Sequence, residues 1–336
     1  MTKIGLDVMG GDKIIGKISG AEERLIAGLN TLKISPEMEL FLFGNKELIL
    51  SLLHNKKVKG VLDIVDVQSG KEIETLTKSI KKGEMEGGVS AGDTGELIKE
   101  SLRLGRLNIN KSKFSPALTA YMPKEGGGQT MILDLGASSS GFKSPEDMIE
   151  AYLNNAMLAI ANYMAHGQGN PKLGIFNIGV EEYKGPKPLQ EVYKLFKEKF
   201  GDSFVGNIEG DKIFTTEADI IVTDGFTGNM VLKAVEGTVK LLRKEVKQCI
   251  KKHNIAVLLA LGLAPFLRDI KIKYNPDKYA GSPILGVDGN LFKSHGSSNS
   301  EAIKNALIKS YNFAKQGDLY RIKDNLGKLT ENKNEQ

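Results

Sequence analysis

The chain has 336 residues, 40% of them apolar and 26% charged, which is enough for a sizeable core in one large domain or two lobes. A net charge of +5 is too weak to argue nucleic acid without a basic patch, and suits an acidic partner or an anionic membrane surface equally well. A single cysteine, Cys249, excludes an intrachain disulfide and a cysteine-built metal site.

From the N-terminus, Met1 to Asp7 enters a strand with no signal-peptide core, and no run reaches the roughly 18 apolar residues of a spanning helix. The simplest expected location is the cytoplasm. Ile4–Met9 is a short apolar strand. It runs into Gly10, Gly11 and Asp12, then a helix through Ile18, Ala21, Leu25 and Ala27. The glycines admit a ligand phosphate or simply a sharp turn. Leu40–Gly44 is a second strand, Lys46–Leu53 a helix and Val61–Val65 a third strand; His54 falls in a lysine-rich segment that suits solvent. Gly87–Gly95 reads as a Gly- and hydroxyl-rich loop before a helix over Glu96–Leu104, where Ser90 and Thr94 either hold an oxyanion or cap the helix. Arg103, Arg106, Lys111 and Lys113 form a basic cluster, read first as a solvated face. Ala117–Met122 and Thr130–Ala137 are strands, with Asp134 at the end of the second.

Ser144–Ala165 reads as one long helix, opened by a capping Ser, a Pro and two acids and closed near His166. Lys172–Ile178 is a strand, followed by a loop carrying Lys184 and Gly185, a helix over Leu189–Phe200, and a strand and loop over Phe204–Gly210. The run Ile220–Val222, Asp224–Asn229, Met230–Lys247 reads as strand, tight Gly loop and amphipathic helix. Such a loop leaves N–H groups unpaired at a helix N-terminus, where the dipole favours an anion. The alternative is an ordinary capped turn. Neither a Walker A loop nor G-x-G-x-x-G is present, so no nucleotide is indicated by motif. Lys240, Lys244, Lys247 and Lys251 form a basic stripe along the helix.

The nearly apolar segment Ile255–Leu267, between basic flanks, is too short to span a bilayer. It suits a buried core helix, or a hairpin tip presenting Val257, Leu258, Leu261, Leu263, Phe266 and Leu267 to an anionic interface. Leu291–Asn299 is another polar Gly loop, Glu301–Gln316 a helix and Lys328–Gln336 a polar tail. Strands alternating with helices predict an α/β fold with a mostly parallel sheet covered on both faces. Ligands of such sheets bind beyond the carboxyl ends of the strands. Asp7, Ser90, Asp134, Asn177 and Asp224 sit at such ends and are expected to share one cleft. The acids are too scattered for a metal.

Taken together, these loops resemble one family. Asp7–Asp12, Ser90–Gly95, Leu133–Ala137, Asn177–Gly179 with Glu182 and Lys184-Gly185, Gly206–Gly210, Asp224–Asn229 and Lys293–Ser298 occur in the order seen in the PlsX family, the acyl-ACP:phosphate acyltransferases of bacterial phospholipid synthesis. The resemblance runs from about Lys3 to Leu326. It implies a three-layer αβα fold like that of the isocitrate/isopropylmalate dehydrogenases and phosphate acetyltransferases. One domain would span 1–327, with a helical hairpin protruding over 234–274 and a tail over 328–336. It implies transfer of a long-chain acyl group from acyl carrier protein to inorganic phosphate, giving acyl phosphate for a membrane glycerol-3-phosphate acyltransferase. A homodimer, peripherally membrane-associated through the hairpin tip, is implied too, with no cofactor and no metal.

Phosphate is itself the nucleophile in that reaction, so no Ser or Cys nucleophile is needed. The site must hold a dianion against a thioester and stabilise the tetrahedral oxyanion. The candidates for the chemistry are His295, Lys184 and Asn229. Those for substrate binding are Asp7, Gly10, Gly11, Ser90, Thr94, Asp134, Asn177, Asp224, Gly225, Thr227 and Gly228. The chain departs from the family pattern in several places. Lys13-Ile14-Ile15 replaces His-Ala-Pro, Asp93 replaces Asn, Glu96 replaces Ala, Ser115 replaces Arg and Ser138 replaces Asn. The segment between Val67 and Gly87 is also short. Asp93 puts a negative charge where phosphate is expected. Two alternatives therefore stay open: a non-catalytic membrane-associated scaffold, and a short-chain acyl-CoA:phosphate acyltransferase. An NAD-dependent dehydrogenase would want a dinucleotide fingerprint and clustered acids, and neither is found.

Overall fold

Short apolar runs separated by glycine and polar turns form thirteen strands in the computed structural model, which describes residues 1–11, 19–53, 62–138, 141–252 and 280–331. The strands are β1 (Thr2–Asp7), β2 (Met38–Gly44), β3 (Leu62–Asp66), β4 (Gly87–Ser90), β5 (Asn108–Ile109), β6 (Ser112–Lys113), β7 (Ala117–Pro123), β8 (Gln129–Leu133), β9 (Leu173–Phe176), β10 (Phe204–Ile208), β11 (Ile220–Val222), β12 (Ser282–Leu285) and β13 (Leu291–Lys293). The helices among the described residues are α1 (Ser19–Ile34), α2 (Lys46–Leu53), α3 (Glu72–Lys81), α4 (Thr94–Ser101), α5 (Pro145–Ala165), α6 (Lys187–Phe200), α7 (Gly225–Lys252), α8 (Ser300–Gln316) and α9 (Asp318–Glu331).

All strands except the β5–β6 ribbon join one sheet in the order β10-β9-β11-β8-β7-β12-β13-β4-β1-β2-β3. Alternate strand residues face opposite layers. Leu6, Leu42, Met131, Leu133, Ile175 and Val222 pack into one core with residues of α1, α5, α8 and α9. Phe43, Ile132, Phe176 and Ile221 pack into the other with Leu76 of α3, Leu97 of α4 and the partly buried Val231 and Val235 of α7. The result is the expected three-layer fold with a mostly parallel sheet.

Its strands form two parallel groups: β10-β9-β11-β8 and β13-β4-β1-β2-β3. Between them β7 pairs antiparallel with β8 and β12, and β12 antiparallel with β13. Three reversals make the two groups run in opposite directions.

The helix over Ser144–Ala165 opens as its sequence predicts, with the Asp147 N–H donating to the Ser144 hydroxyl at 3.1 Å ahead of Pro145. Several expectations are corrected. Gly87–Ser90 and Leu291–Lys293 are strands rather than loops, since β4 lies between β1 and β13 and is buried throughout. The helix α3, with only Ile73, Leu76 and Ile80 apolar, was not anticipated. Residues 328–331 continue α9, whose Thr330 is buried and donates to the Leu326 carbonyl. The apolar segment Ile255–Leu267, the remainder of the hairpin to 274, and His54 lie outside the described residues. Among the described residues no helix is long and apolar enough to cross a membrane.

Candidate active site

Asp7 ends β1 fully buried, and its carboxylate organises the turn that follows. Oδ1 accepts the Met9 and Gly10 N–H groups at 3.0 and 2.8 Å, and Oδ2 accepts the Ser90 hydroxyl at 2.6 Å. The Ser90 oxygen in turn accepts the Gly92 N–H at 2.9 Å. Burial pushes the Asp7 carboxyl up, against its hydrogen bonds from Ser90 and Gly10 and the charge of Arg24. The Ser90 hydroxyl is therefore committed to the protein rather than open to an oxyanion. Asp93, not Ser90 or Thr94, caps α4: its carboxylate accepts the Glu96 N–H at 2.9 Å. The negative charge that departs from the family pattern is spent on a helix N-terminus.

The other strand group repeats the device. Asp134 ends β8 with φ +75° and is buried. Its carboxylate accepts the Ala137 N–H at 2.8 Å and the Ser138 hydroxyl. Burial raises this carboxyl too, against the hydrogen bond from Ser138. The Ser138 oxygen accepts the Gly225 N–H at 2.9 Å, and Asp224 Oδ1 accepts the Thr227 N–H at 2.8 Å. Tyr152, buried on α5, donates to Asp224 Oδ2 at 3.3 Å. The stretch read as an open Gly loop is thus the first turn of α7, and the N–H groups of Gly225 and Thr227 are already taken by the protein's own oxygens. The glycine at 228 is demanded by packing: a Cβ there would lie 2.2 Å from the Asp134 carbonyl oxygen.

The loops meet in a continuous series. A methyl group on Gly10 would stand 2.7 Å from the Gly92 nitrogen, and one on Gly11 would stand 2.8 Å from the Gly296 oxygen. Behind Gly11 lies Arg24, buried on α1, whose Nε donates to the Val8 carbonyl at 2.7 Å. Next to Gly296, His295 Nδ1 is 2.8 Å from the Ser297 hydroxyl, and Nε2 is 3.2 Å from Lys233 Nζ on α7. One turn back along α7, Asn229 lies against Gly136, its Cγ 3.9 Å from where a Cβ would be. The series therefore runs from Asp7 and Ser90 of one strand group, through His295, to Asn229 and Asp134 of the other. Asn177 and Lys184 lie at the end of β9, the strand beside β11, where the Asn177 amide donates to the Lys184 carbonyl at 3.0 Å and the Lys184 amine lies over the Tyr183 ring. In the basic cluster, Arg103 is paired with Glu100 and Glu74.

Arg24 and Tyr152 were missed by sequence reasoning. A signal existed for Arg24: it sits among the buried Ala21, Leu25 and Ala27, on the face of α1 that should be apolar.

The pattern of the family described as "Fatty acid synthesis protein" matches residues 2–321. The chain is 35% identical over 319 residues to a phosphate acyltransferase of Thermotoga petrophila, covering 91% of this chain and 89% of that one. It is 34% identical to a phosphate acyltransferase of Wolinella succinogenes, covering 92% and 93%. Among solved structures, the fold is shared with the EutD phosphotransacetylase of Staphylococcus aureus, with a TM-score of 0.54, 15% identity and 94% of each chain covered. It is also shared with a protein described as a 4-hydroxythreonine-4-phosphate dehydrogenase of Salmonella typhimurium, with a TM-score of 0.54, 10% identity and 93% and 99% covered. With a match over nearly its whole length and relatives above 30% identity, this chain belongs to the fatty acid synthesis protein family that the order of its loops resembled.

Proposed function

We propose that the protein transfers a long-chain acyl group from acyl carrier protein to inorganic phosphate. A phosphate oxygen attacks the thioester carbonyl carbon, forming a C–O bond and a tetrahedral oxyanion. Collapse breaks the C–S bond, and the departing thiolate takes a proton. Lys233 and the buried Arg24 supply positive charge for the phosphate, and Asn229 donates to the oxyanion. His295 protonates the leaving thiol. Asp7, Ser90, Asp134, Asp224 and Thr227 hold the loops in place, and the glycines at 10, 11, 225 and 228 let those loops approach one another.

The observation that carries this reading is that Gly11 lies against Gly296, whose neighbour His295 reaches Lys233 on the helix that also carries Asn229, in a chain whose relatives are phosphate acyltransferases. Mass spectrometry of acyl phosphate, after mixing the protein with long-chain acyl carrier protein and phosphate, tests it. Asn229→Ala and His295→Ala are each expected to lower turnover by about a hundredfold. A folded protein that makes no acyl phosphate beside an active relative would favour the scaffold reading.

A short-chain acyl-CoA donor is the second reading, favoured by the fold shared with a phosphotransacetylase. Comparing acetyl-CoA with palmitoyl carrier protein as donors separates the two. The exposed Leu241, Leu242 and Val246 of α7 lie next to the exposed Lys240 and Lys244, a composition that suits peripheral contact with an anionic membrane, where a glycerol-3-phosphate acyltransferase would consume the product. A homodimer belongs to the same proposal.

A further inference from the structure

α7 brings an acid to a place where its charge is out of keeping. Lys233 and Glu236 are three residues apart and share one face of the helix. Glu236 Oε2 lies 3.0 Å from Lys233 Nζ and 3.6 Å from His295 Nε2, while Lys233 Nζ lies 3.2 Å from that same Nε2. A carboxylate beside a site for a dianion opposes binding by simple Coulomb repulsion, so its presence calls for a compensating task. The geometry supplies one. His295 arrives on the loop after β13, in one parallel strand group, whereas α7 follows β11 in the other. On its far side the imidazole is fixed by Ser297, whose hydroxyl is 2.8 Å from Nδ1.

We propose that Glu236 is a positioning residue that holds the His295 imidazole and the Lys233 ammonium together across the junction of the two strand groups. This rests on the acyl transfer proposed above, in which His295 delivers a proton. When the ring is neutral at Nε2, Lys233 donates to it and Glu236 anchors the ammonium. When Nε2 carries a proton, Glu236 is the acceptor facing it. The carboxyl is held down to about 2, by His295 first and against its partial burial, with Lys233 adding to the effect. When the ring gives no proton to it, Lys233 still faces the carboxylate at 3.0 Å. Glu236 touches no reacting atom; it acts through His295.

The test is steady-state kinetics of Glu236→Ala, Glu236→Gln and Glu236→Asp in the full-length protein, varying inorganic phosphate. The Ala and Gln variants are expected to lose about ten- to a hundredfold in kcat. Their KM for phosphate should stay level or fall, because a negative charge has left the site. Glu236→Asp, which keeps the charge on a shorter arm, should recover part of the rate. A loss of packing alone would instead raise KM, lower the melting temperature and affect Gln least.

A second arm is independent of turnover. In carboxyl ¹³C NMR, the Glu236 signal should titrate at higher pH in His295→Asn than in the parent. A parental kcat in Glu236→Ala, or a Glu236 titration unmoved by His295→Asn, overturns the proposal. Should the parent make acyl phosphate from no donor, the functional reading fails, and the carboxyl titration alone decides whether Glu236 holds His295.

Discussion

Asp7 and Asp134 do the same work on opposite strand groups: each ends a strand, is buried, and takes a serine hydroxyl and backbone N–H groups onto its carboxylate. Both carboxyls are raised by burial, which fixes the sign of a pH effect. The folded state takes up a proton at higher pH than the unfolded chain, so acidification adds stability through the window between the raised value and the ordinary 3.8. Asp7→Asn removes that response. Urea titrations from about pH 7 towards about pH 4 should show the stability difference moving in favour of the parent as pH falls. A pH-independent difference would rule out a carboxyl at Asp7 raised by burial.

The glycine- and serine-bearing turns of this site were legible because short residues at strand ends stand out in sequence. Glu236 was not, because a charged side chain on a helix reads as a solvent-facing one, and Arg24 showed only in its place among the apolar residues of α1. What marks them are partners distant in sequence: Glu236 meets His295 59 positions away.

Among elements, α7 shows where local chemistry misleads. Two glycines and a threonine after Asp224 resemble a flexible loop, yet they are helical. The glycines are there because other backbone crosses close by, not because the turn must bend. A Cβ at 225 would meet the Ser138 nitrogen at 2.7 Å, and one at 228 the Asp134 carbonyl oxygen at 2.2 Å. Gly228→Ala would raise local helix propensity, and is nonetheless expected to cost about 3 kcal/mol, because backbone rather than a mobile side chain must give way. Thermal melts of Gly228→Ala and of Gly237→Ala, where nothing stands in the way of a Cβ, would check this. Only the first should lower the melting temperature.

The two unanticipated helices have different lessons. α3 has few apolar residues for its length. In α9, Leu319, Ile322, Leu326 and Leu329 keep a spacing of three, four and three, which the polar residues and Gly327 between them obscured.

At the scale of the molecule, α9 closes the layer over α5. Ile322 and Leu326 are buried there, and the Asn325 amide donates to the Ala161 carbonyl at 3.1 Å. Each of the two apolar side chains is worth about 2 kcal/mol. A chain ended at Gly317 is therefore expected to melt far lower or to aggregate, and one ended at Glu331 to match the full length; calorimetry of the two truncations would decide. The alternating strands and helices, and hence the layered architecture, could be read from the sequence by periodicity. The reversal of direction through β7 and β12 could not, since strand order depends on pairings between distant segments.

That arrangement also sets a timetable for synthesis. β4 pairs with β13, and α1 packs on α8, so strands made early belong to a layer completed by one made roughly two hundred residues later. Until residues beyond 290 emerge, the nascent chain presents one open strand edge and one uncovered helix face. Its N-terminal layer must wait in a partly assembled state, the kind of surface that holding chaperones recognise.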